Sequence, residues 1–278
     1  MADDKFPELD PAAIADTRDA LHAYSKIAGA WCKVYREKRK HWWHASLRPS
    51  LTGLTTGVLY GQADFDIELD LARSCINVRT CSSMMSEQLH GQSSAAVAKS
   101  VRRTLVAADV EEKLAVADEP ASDDTYPGYS ADQALGMRGA LGSVASALED
   151  FRAGIREEKS PIQLWPHHFD LSMIWLPGDK IEGQDPDNEE YSDKQMNFGF
   201  AFGDASIPEP YFYVTAYPTP DVLPSVKLPT GTTWRTDGFN GAVLLYKDLR
   251  EMDDPHGYLL ELWNVLLNAA RPHMTSGG

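Results

Sequence analysis

The stretch Asp64-Phe-Asp-Ile-Glu-Leu-Asp-Leu-Ala-Arg-Ser-Cys-Ile-Asn-Val-Arg79 decides the fold class. Acidic and apolar residues alternate from Asp64 to Leu71, and Cys75 to Arg79 alternate in the complementary sense. That period of two belongs to strands with one apolar face. A two-residue turn at Ala72-Arg73 sets Leu69 opposite Ile76 and Ile67 opposite Val78. The same register sets Asp66 opposite Arg79 and Glu68 opposite Asn77, so both faces agree, and a slip of one residue would exchange them. The expectation is an antiparallel hairpin whose acid row lies on a solvated face.

Upstream of the hairpin, Leu21, Tyr24, Ala28, Trp31 and Tyr35 recur at helical spacing and predict one amphipathic helix from about 12 to 39. Its basic end suits a helix C-terminus, and His41-Trp-Trp-His-Ala-Ser-Leu-Arg48 follows. Thr52-Gly-Leu-Thr-Thr-Gly57 reads as a turn between strands. Downstream the order returns. Ser130 with Gln133 forms a capping box, and Leu141, Val144, Leu148, Phe151 and Ile155 make a second helical stripe. Then comes Ser160-Pro-Ile-Gln-Leu-Trp-Pro-His-His-Phe-Asp-Leu-Ser-Met-Ile-Trp-Leu-Pro-Gly178. Strands around Phe198–Phe202, Tyr211–Tyr217 and 240–246 follow, and Asp254-Pro255 opens a last helix. The fold class is therefore α+β: two related halves, each a long helix, an antiparallel sheet and a further helix, around a shared core. The halves run 1–117 and 131–278, joined by the loop 118–130, and read together as one compact domain. Gly178 to Lys194, rich in Asp and Glu, reads as a mobile acidic loop, a candidate lid.

The 278 residues allow a sizeable core, and 43% hydrophobic with 24% charged residues is ordinary for a globular chain. A net charge of −15 disfavours nucleic acid and anionic membranes as partners. Three cysteines, Cys32, Cys75 and Cys81, make neither an even disulfide set nor a CxxC pair, and the first residues lack the pattern of a secretory signal. A soluble, cytoplasmic protein is expected. No glycine-rich phosphate loop, GxSxG or HExxH occurs, so no nucleotide cofactor is expected.

On a regular strand from Phe169 to Trp175, His168, Asp170 and Ser172 share one face and Phe169, Leu171, Met173 and Trp175 the other. Superposing the halves sets His44 on His168, Ser46 on Asp170 and Arg48 on Ser172. Two histidines, an aspartate and an arginine would then meet in one pocket. Imidazole with carboxylate serves as general base and orienting acid, or holds a divalent metal through His44, His168 and Asp170, or forms a hydrogen-bonded structural network. Trp42, Trp43, Trp165 and Trp175 read as core, and Cys32 as an inert buried thiol.

Several motifs together resemble an uncharacterised, mainly bacterial family known as a domain of unknown function (DUF5996-like). They are His41 to His44, Gly53 to Thr56, Ser160-Pro161-Ile162, Phe169-Asp170-Leu171, Phe198-Gly199-Phe200 and Tyr211 to Pro218. The resemblance spans roughly residues 20 to 270 and implies a shared fold and site, without an activity. The functional expectation is a protein that binds, and in one version transforms, a small polar or aromatic molecule. His168 and Asp170 are the candidate catalytic pair, in lyase- or hydrolase-type acid–base chemistry with or without a metal. His44, Arg48, His167, Trp165, Tyr211 and Tyr213 are the candidate binding residues. The rival is a non-catalytic structural or protein-interaction protein with a buried polar network.

Overall fold

The computed structural model describes residues 6–237 and 239–275. In chain order its elements begin with α1 (Pro11–Tyr35), β1 (Arg48–Pro49), β2 (Gly53–Thr55), β3 (Phe65–Asp70), β4 (Cys75–Thr80), β5 (Met84–Gln88) and α2 (Ser94–Ala107). There follow α3 (Ala131–Ala153), β6 (Glu158–Lys159), β7 (Gln163–Trp165), β8 (Asp170–Leu176), α4 (Glu189–Ser192) and β9 (Gln195–Ala201). The last are β10 (Tyr211–Tyr217), β11 (Thr233–Arg235), β12 (Gly241–Leu245), α5 (Tyr246–Arg250) and α6 (Pro255–Met274). The α+β class holds, with antiparallel sheets throughout. The chain divides into two compact units. One takes the chain through Gly142 together with Gln163–Phe169; the other takes Ser143–Ile162 and the chain from Asp170 onward.

In the first unit the sheet order is β1-β2-β3-β4-β5, a plain meander. The hairpin has the register read from the sequence: Leu69 opposite Ile76, Ile67 opposite Val78, Asp66 opposite Arg79 and Glu68 opposite Asn77. The helix α1 packs against β3 and the helix α2 against β4. Phe65, Ile67, Leu69, Ile76 and Val78 are buried, as are Leu21, Tyr24, Ala28 and Trp31 of α1. Trp31 and Tyr35 both meet the Phe65 ring edge-on, at 5.9 and 4.9 Å. Asp10 starts α1 by accepting from the Ala12 N–H at 2.9 Å, with Pro11 at the first helical position.

Three local expectations are corrected in this unit. The helix stops at Tyr35, because Arg36 turns extended and its guanidinium binds the carbonyl oxygens of His44 and Ser46, each at 3.1 Å, and of Thr56. Thr52–Gly57 is not merely a turn: Gly53–Thr55 is a paired strand lying directly on β3. The acid row is not solvated. Glu68, Asp70 and Asn77 are buried, and Glu68 accepts from Ser50 at 2.8 Å and Thr52 at 2.6 Å while Arg79 lies 3.0 Å away.

In the second unit the strands follow the order β11-β12-β10-β9-β8-β6. Leu171, Met173 and Trp175 of β8, Phe198 and Phe200 of β9, and Phe212 and Val214 of β10 fill a core with Phe151 of α3 and Trp263 of α6. Asp254 caps α6 by accepting from the Gly257 N–H at 3.0 Å. The two sheets differ in strand order, since β11 lies outside β12, and this topology does not establish a repeat of the first unit. The acidic stretch is tied down at its base by a Lys180–Asp193 ion pair and bridge and by Lys194 at 3.4 Å from Asp179, and it contains α4. Among the described residues no helix is long and apolar enough to cross a membrane.

Glu68 supplies a test of the first sheet. Burial alone would raise its pKa, but hydrogen bonds from Thr52 and Ser50 and the Arg79 charge outweigh burial and hold the carboxyl below its usual range. Its folded value being depressed, its contribution is present above the unfolded value of 4.5 and is lost as pH falls through the lower folded value. Glu68→Gln is expected to cost about 1–3 kcal/mol at neutral pH in urea unfolding and to flatten the acid limb below 4.5. An unchanged acid limb would show that Glu68 does not supply it.

Candidate functional site

In the first unit, His22, Lys26, Gly29, Lys33 and Arg36 lie at i, i+4, i+7, i+11 and i+14 along α1, which places them on one stripe of the helix. Both motif segments land on that stripe. A methyl group at Gly29 would stand 2.7 Å from Pro166 Cγ and 3.2 Å from the Ala45 carbonyl oxygen. Only a residue without a side chain admits both. Leu47 and Leu164 pair by two backbone hydrogen bonds, at 3.0 and 2.9 Å. The Ser46 hydroxyl lies 2.8 Å from the Trp43 carbonyl oxygen and 2.7 Å from the Gln163 side-chain amide. One hydroxyl proton cannot serve two acceptors. With the Gln163 amide turned over, its N–H donates to Ser46, which donates to Trp43, and the set is consistent.

At one end of the stripe lies His41-Trp-Trp-His44. The sequence suggests a strand beginning at His44; the chain instead makes a 3-10 stretch over Lys40–Ala45. His41 (φ 49°, ψ 31°) and Trp42 (φ 58°, ψ 21°) are both left-handed, a conformation that costs a non-glycine residue about 1–3 kcal/mol. The turn carries Trp42 outward: it is 48% exposed, contrary to the core role its sequence suggests. Lys33 lies 5.3 Å from the Trp42 ring centre and His44 stacks on the same indole at 5.5 Å. His44 itself is buried, and its Nδ1 accepts the Arg39 backbone N–H at 3.2 Å. Burial, with the Lys33, Arg36 and Lys38 charges, lowers its pKa.

At the other end, Pro166–Phe169 is a turn, not strand. Phe169 is left-handed (φ 57°) and its N–H reaches back to the Trp165 carbonyl at 2.7 Å, so β8 begins only at Asp170 and His168 precedes it. The His22 Nε2 donates to the His167 carbonyl at 3.2 Å, and its ring stacks on Phe169 at 5.5 Å. The rings of His167 and His168 lie 4.3 Å apart, and Trp165 meets His167 edge-on at 5.9 Å. Although His167 and His168 reach solvent, packing around His167, then the neighbouring His168, His22 and Lys26, pushes the His167 imidazole down to about 4. Burial and Lys26 lower His22 as well.

Within the second unit Asp170 is buried and accepts the Tyr213 hydroxyl. Tyr213, Gly199 and Ser172 are register partners across β10, β9 and β8. The phenol lies flat over Gly199, and a methyl there would run into the ring. Burial and the Asp170 carboxylate raise the Tyr213 pKa well above its ordinary value. Tyr211 donates to Asp204 at 2.6 Å. Arg48 opens β1 opposite Thr55 in the first unit, and its charge and that of Arg36 act on buried Cys32, whose thiol burial pushes up to about 11. Among the described residues no group of three or more His, Cys, Asp or Glu side chains is placed to hold a metal ion. A cleft of about 290 Å³ lies in the second unit, lined by Lys194, Pro218, Thr219, Asp221, His273 and Met274 among others, and none of the sequence-nominated residues lines it. The residues that sequence reasoning missed are His22, Lys26, Gly29 and Lys33, legible only as a second, polar stripe on α1.

Two measurements test this geometry. Gly199→Ala should cost about 1–3 kcal/mol by overpacking, and most of that cost should vanish in a Tyr213→Ala background; an additive double-mutant cycle would refute the contact. In an NMR titration, His167 should remain neutral down to about pH 4. Since its folded value lies below the ordinary 6.5, the unfolded chain takes up the proton first. Stability from His22, His44 and His167 is therefore complete above pH 6.5 and declines as pH falls toward 4. A His167 midpoint near 6.5 would show that the packing and charges around this solvent-reaching ring do not hold it neutral.

No match is found among curated proteins or among solved structures. The motifs that line the α1 stripe and the Gly199 contact are those on which the sequence resemblance rested, and a family model matches residues 6–274, the whole of both units' elements. The chain belongs to a family of unknown function (DUF5996).

Proposed function

We propose that this protein binds a small polar or aromatic molecule on the α1 face of its first unit. The observation that supports the reading most is the meeting of two distant motif segments, His41–Ser46 and Gln163–Phe169, over Gly29 of one helix. His167 and His168 supply the proton acceptors of the site, His167 being held neutral by its surroundings, with His44, Trp165 and Arg48 on the flanking segments. Imidazoles of this kind suit general-base work as well as binding. The free thiols of Cys32, Cys75 and Cys81 fit a cytoplasmic setting.

The second reading, a structural polar network, is favoured for Asp170 by its Tyr213 partner and for Glu68 by Ser50, Thr52 and Arg79. In this reading Asp170 and Tyr213 hold a sheet while the first unit holds the ligand.

A panel of small aromatic and polar molecules, followed by NMR on histidine rings and tryptophan indoles, tests the proposal. Binders are expected to perturb either the His22 and His167 imidazoles or the Trp42 indole, and for a binder seated at the imidazole end His167→Ala is expected to weaken binding by about tenfold, the worth of roughly 1.4 kcal/mol. Perturbations confined to the Lys194–His273 cleft would overturn it.

A further inference from the structure

We propose that the group recognised on this face is an oxyanion (a carboxylate, sulfonate or phosphate on a small molecule) and that it is held at the His41–His44 end. The inference rests on the α1 face being the binding site, and adds the class of ligand and its place.

Three observations carry it. First, Lys33, Arg36, Lys38, Arg39 and Lys40 fall within eight residues against the single acid Glu37, in a chain whose net charge is −15. Lys33, Lys38 and Arg39 are exposed, and among the described residues none of the three makes an ion pair. Second, the Trp43 indole N–H is buried and has no hydrogen-bond partner among the described residues, although Lys40 lies 5.6 Å from that ring's centre and His41 stacks on it at 6.4 Å. The Trp31, Trp175 and Trp263 indoles are likewise without a partner among the described residues. Trp43 alone of the four follows directly on the basic run, where an anion's oxygen is an acceptor that Lys33, Lys38 and Arg39 would attract. Third, the backbone is held in two successive left-handed residues that turn Trp42 outward next to Lys33, giving a flat apolar surface beside the charges. Strain of this kind persists where surrounding structure holds it, and the segment just after the two residues is fastened by Arg36 at the His44 and Ser46 carbonyls.

The charge balance selects a small anion over a polyanion. Arg36 is committed to backbone carbonyls, leaving few cations for a chain of phosphates. The remaining surface is strongly acidic and repels an extended polyanion, whereas a small anion senses only charges within a screening length of about 8–10 Å. Trp42 and its neighbours give an aromatic body of the ligand something to lie on.

Benzenesulfonate, neutral benzenesulfonamide and inorganic sulfate are the probes, since neither sulfonate nor sulfate changes charge across neutral pH. Binding is read by the Trp42 and Trp43 indole N–H resonances, assigned with Trp42→Phe and Trp43→Phe. Benzenesulfonate is expected to bind about tenfold or more tightly than the sulfonamide, as one uncompensated ionic contact near a surface predicts. It should move the Trp43 N–H downfield and weaken with added salt. The exposed substitution Lys38→Gln, which has no bearing on packing, should weaken the sulfonate several-fold and leave the sulfonamide unchanged. If the sulfonamide binds as well as the sulfonate and shifts His22 and His167, the oxyanion assignment fails and the α1 site stands. If sulfonate and sulfate leave every indole and histidine on the face unmoved while other panel molecules bind there, the assignment fails likewise. If no probe or panel molecule touches the face, both readings fall.

Discussion

The approach of Pro166 and Ala45 to the bare backbone of Gly29 is the contact on which the first unit's chemistry depends. It sets two segments that are more than a hundred residues apart in sequence on a single helix, and the Leu47–Leu164 pairing then holds them in register. The helix acts as a ruler. From His22 to Arg36 it rises by roughly 21 Å at 1.5 Å per residue, so the imidazole cluster and the tryptophan turn are fixed at opposite ends of one rigid element.

The electrostatics of that face differ from those of the rest of the chain. Several cations elsewhere are matched locally: Arg79 with Asp66 and Glu68, Arg102 with Glu112 and Glu119, Arg271 with Glu157. Along α1 the cations face imidazoles and indoles, and burial together with neighbouring positive charge holds His22, His44 and His167 below the ordinary histidine value. Imidazoles so placed stay neutral at neutral pH, in contrast to those ion-paired side chains.

Much of the fold was legible because its strands have one apolar face. In the hairpin the alternation from Asp64 to Arg79 allowed one register only, and both rows of pairs follow it. What the alternation could not say was whether the polar row met water; Ser50 and Thr52 come from a separate strand–loop segment and bury Glu68 by supplying its hydrogen bonds. Around His168 the alternating pattern misled, since Pro166 opens a turn and Phe169 takes a left-handed conformation before β8 begins. At His41 and Trp42 no local pattern announces two left-handed non-glycine residues, and the Arg36 contacts that fasten the following segment at His44 and Ser46 are not legible from spacing either. The α1 stripe was masked by the stronger apolar periodicity of the same helix, and Gly29 gained meaning only with Pro166 above it.

The two units use their polar residues in opposite ways. In the second, Asp170 is enclosed and given a phenol, and Gly199 is small so that the phenol can cross the sheet to reach it. Enclosed and partnered, that carboxylate has its interactions inside the sheet, where losing the tyrosine would leave a buried charge short of a donor at about 1–3 kcal/mol. In the first unit the investment runs toward solvent. Arg36 gives up its guanidinium to three carbonyls, the chain after it bends back through two left-handed residues, and the outcome is an indole held outward between a lysine and a histidine. Lys33 and His44 cover part of that ring, and the face left open beside Lys33 is the surface that the proposed oxyanion ligand would use.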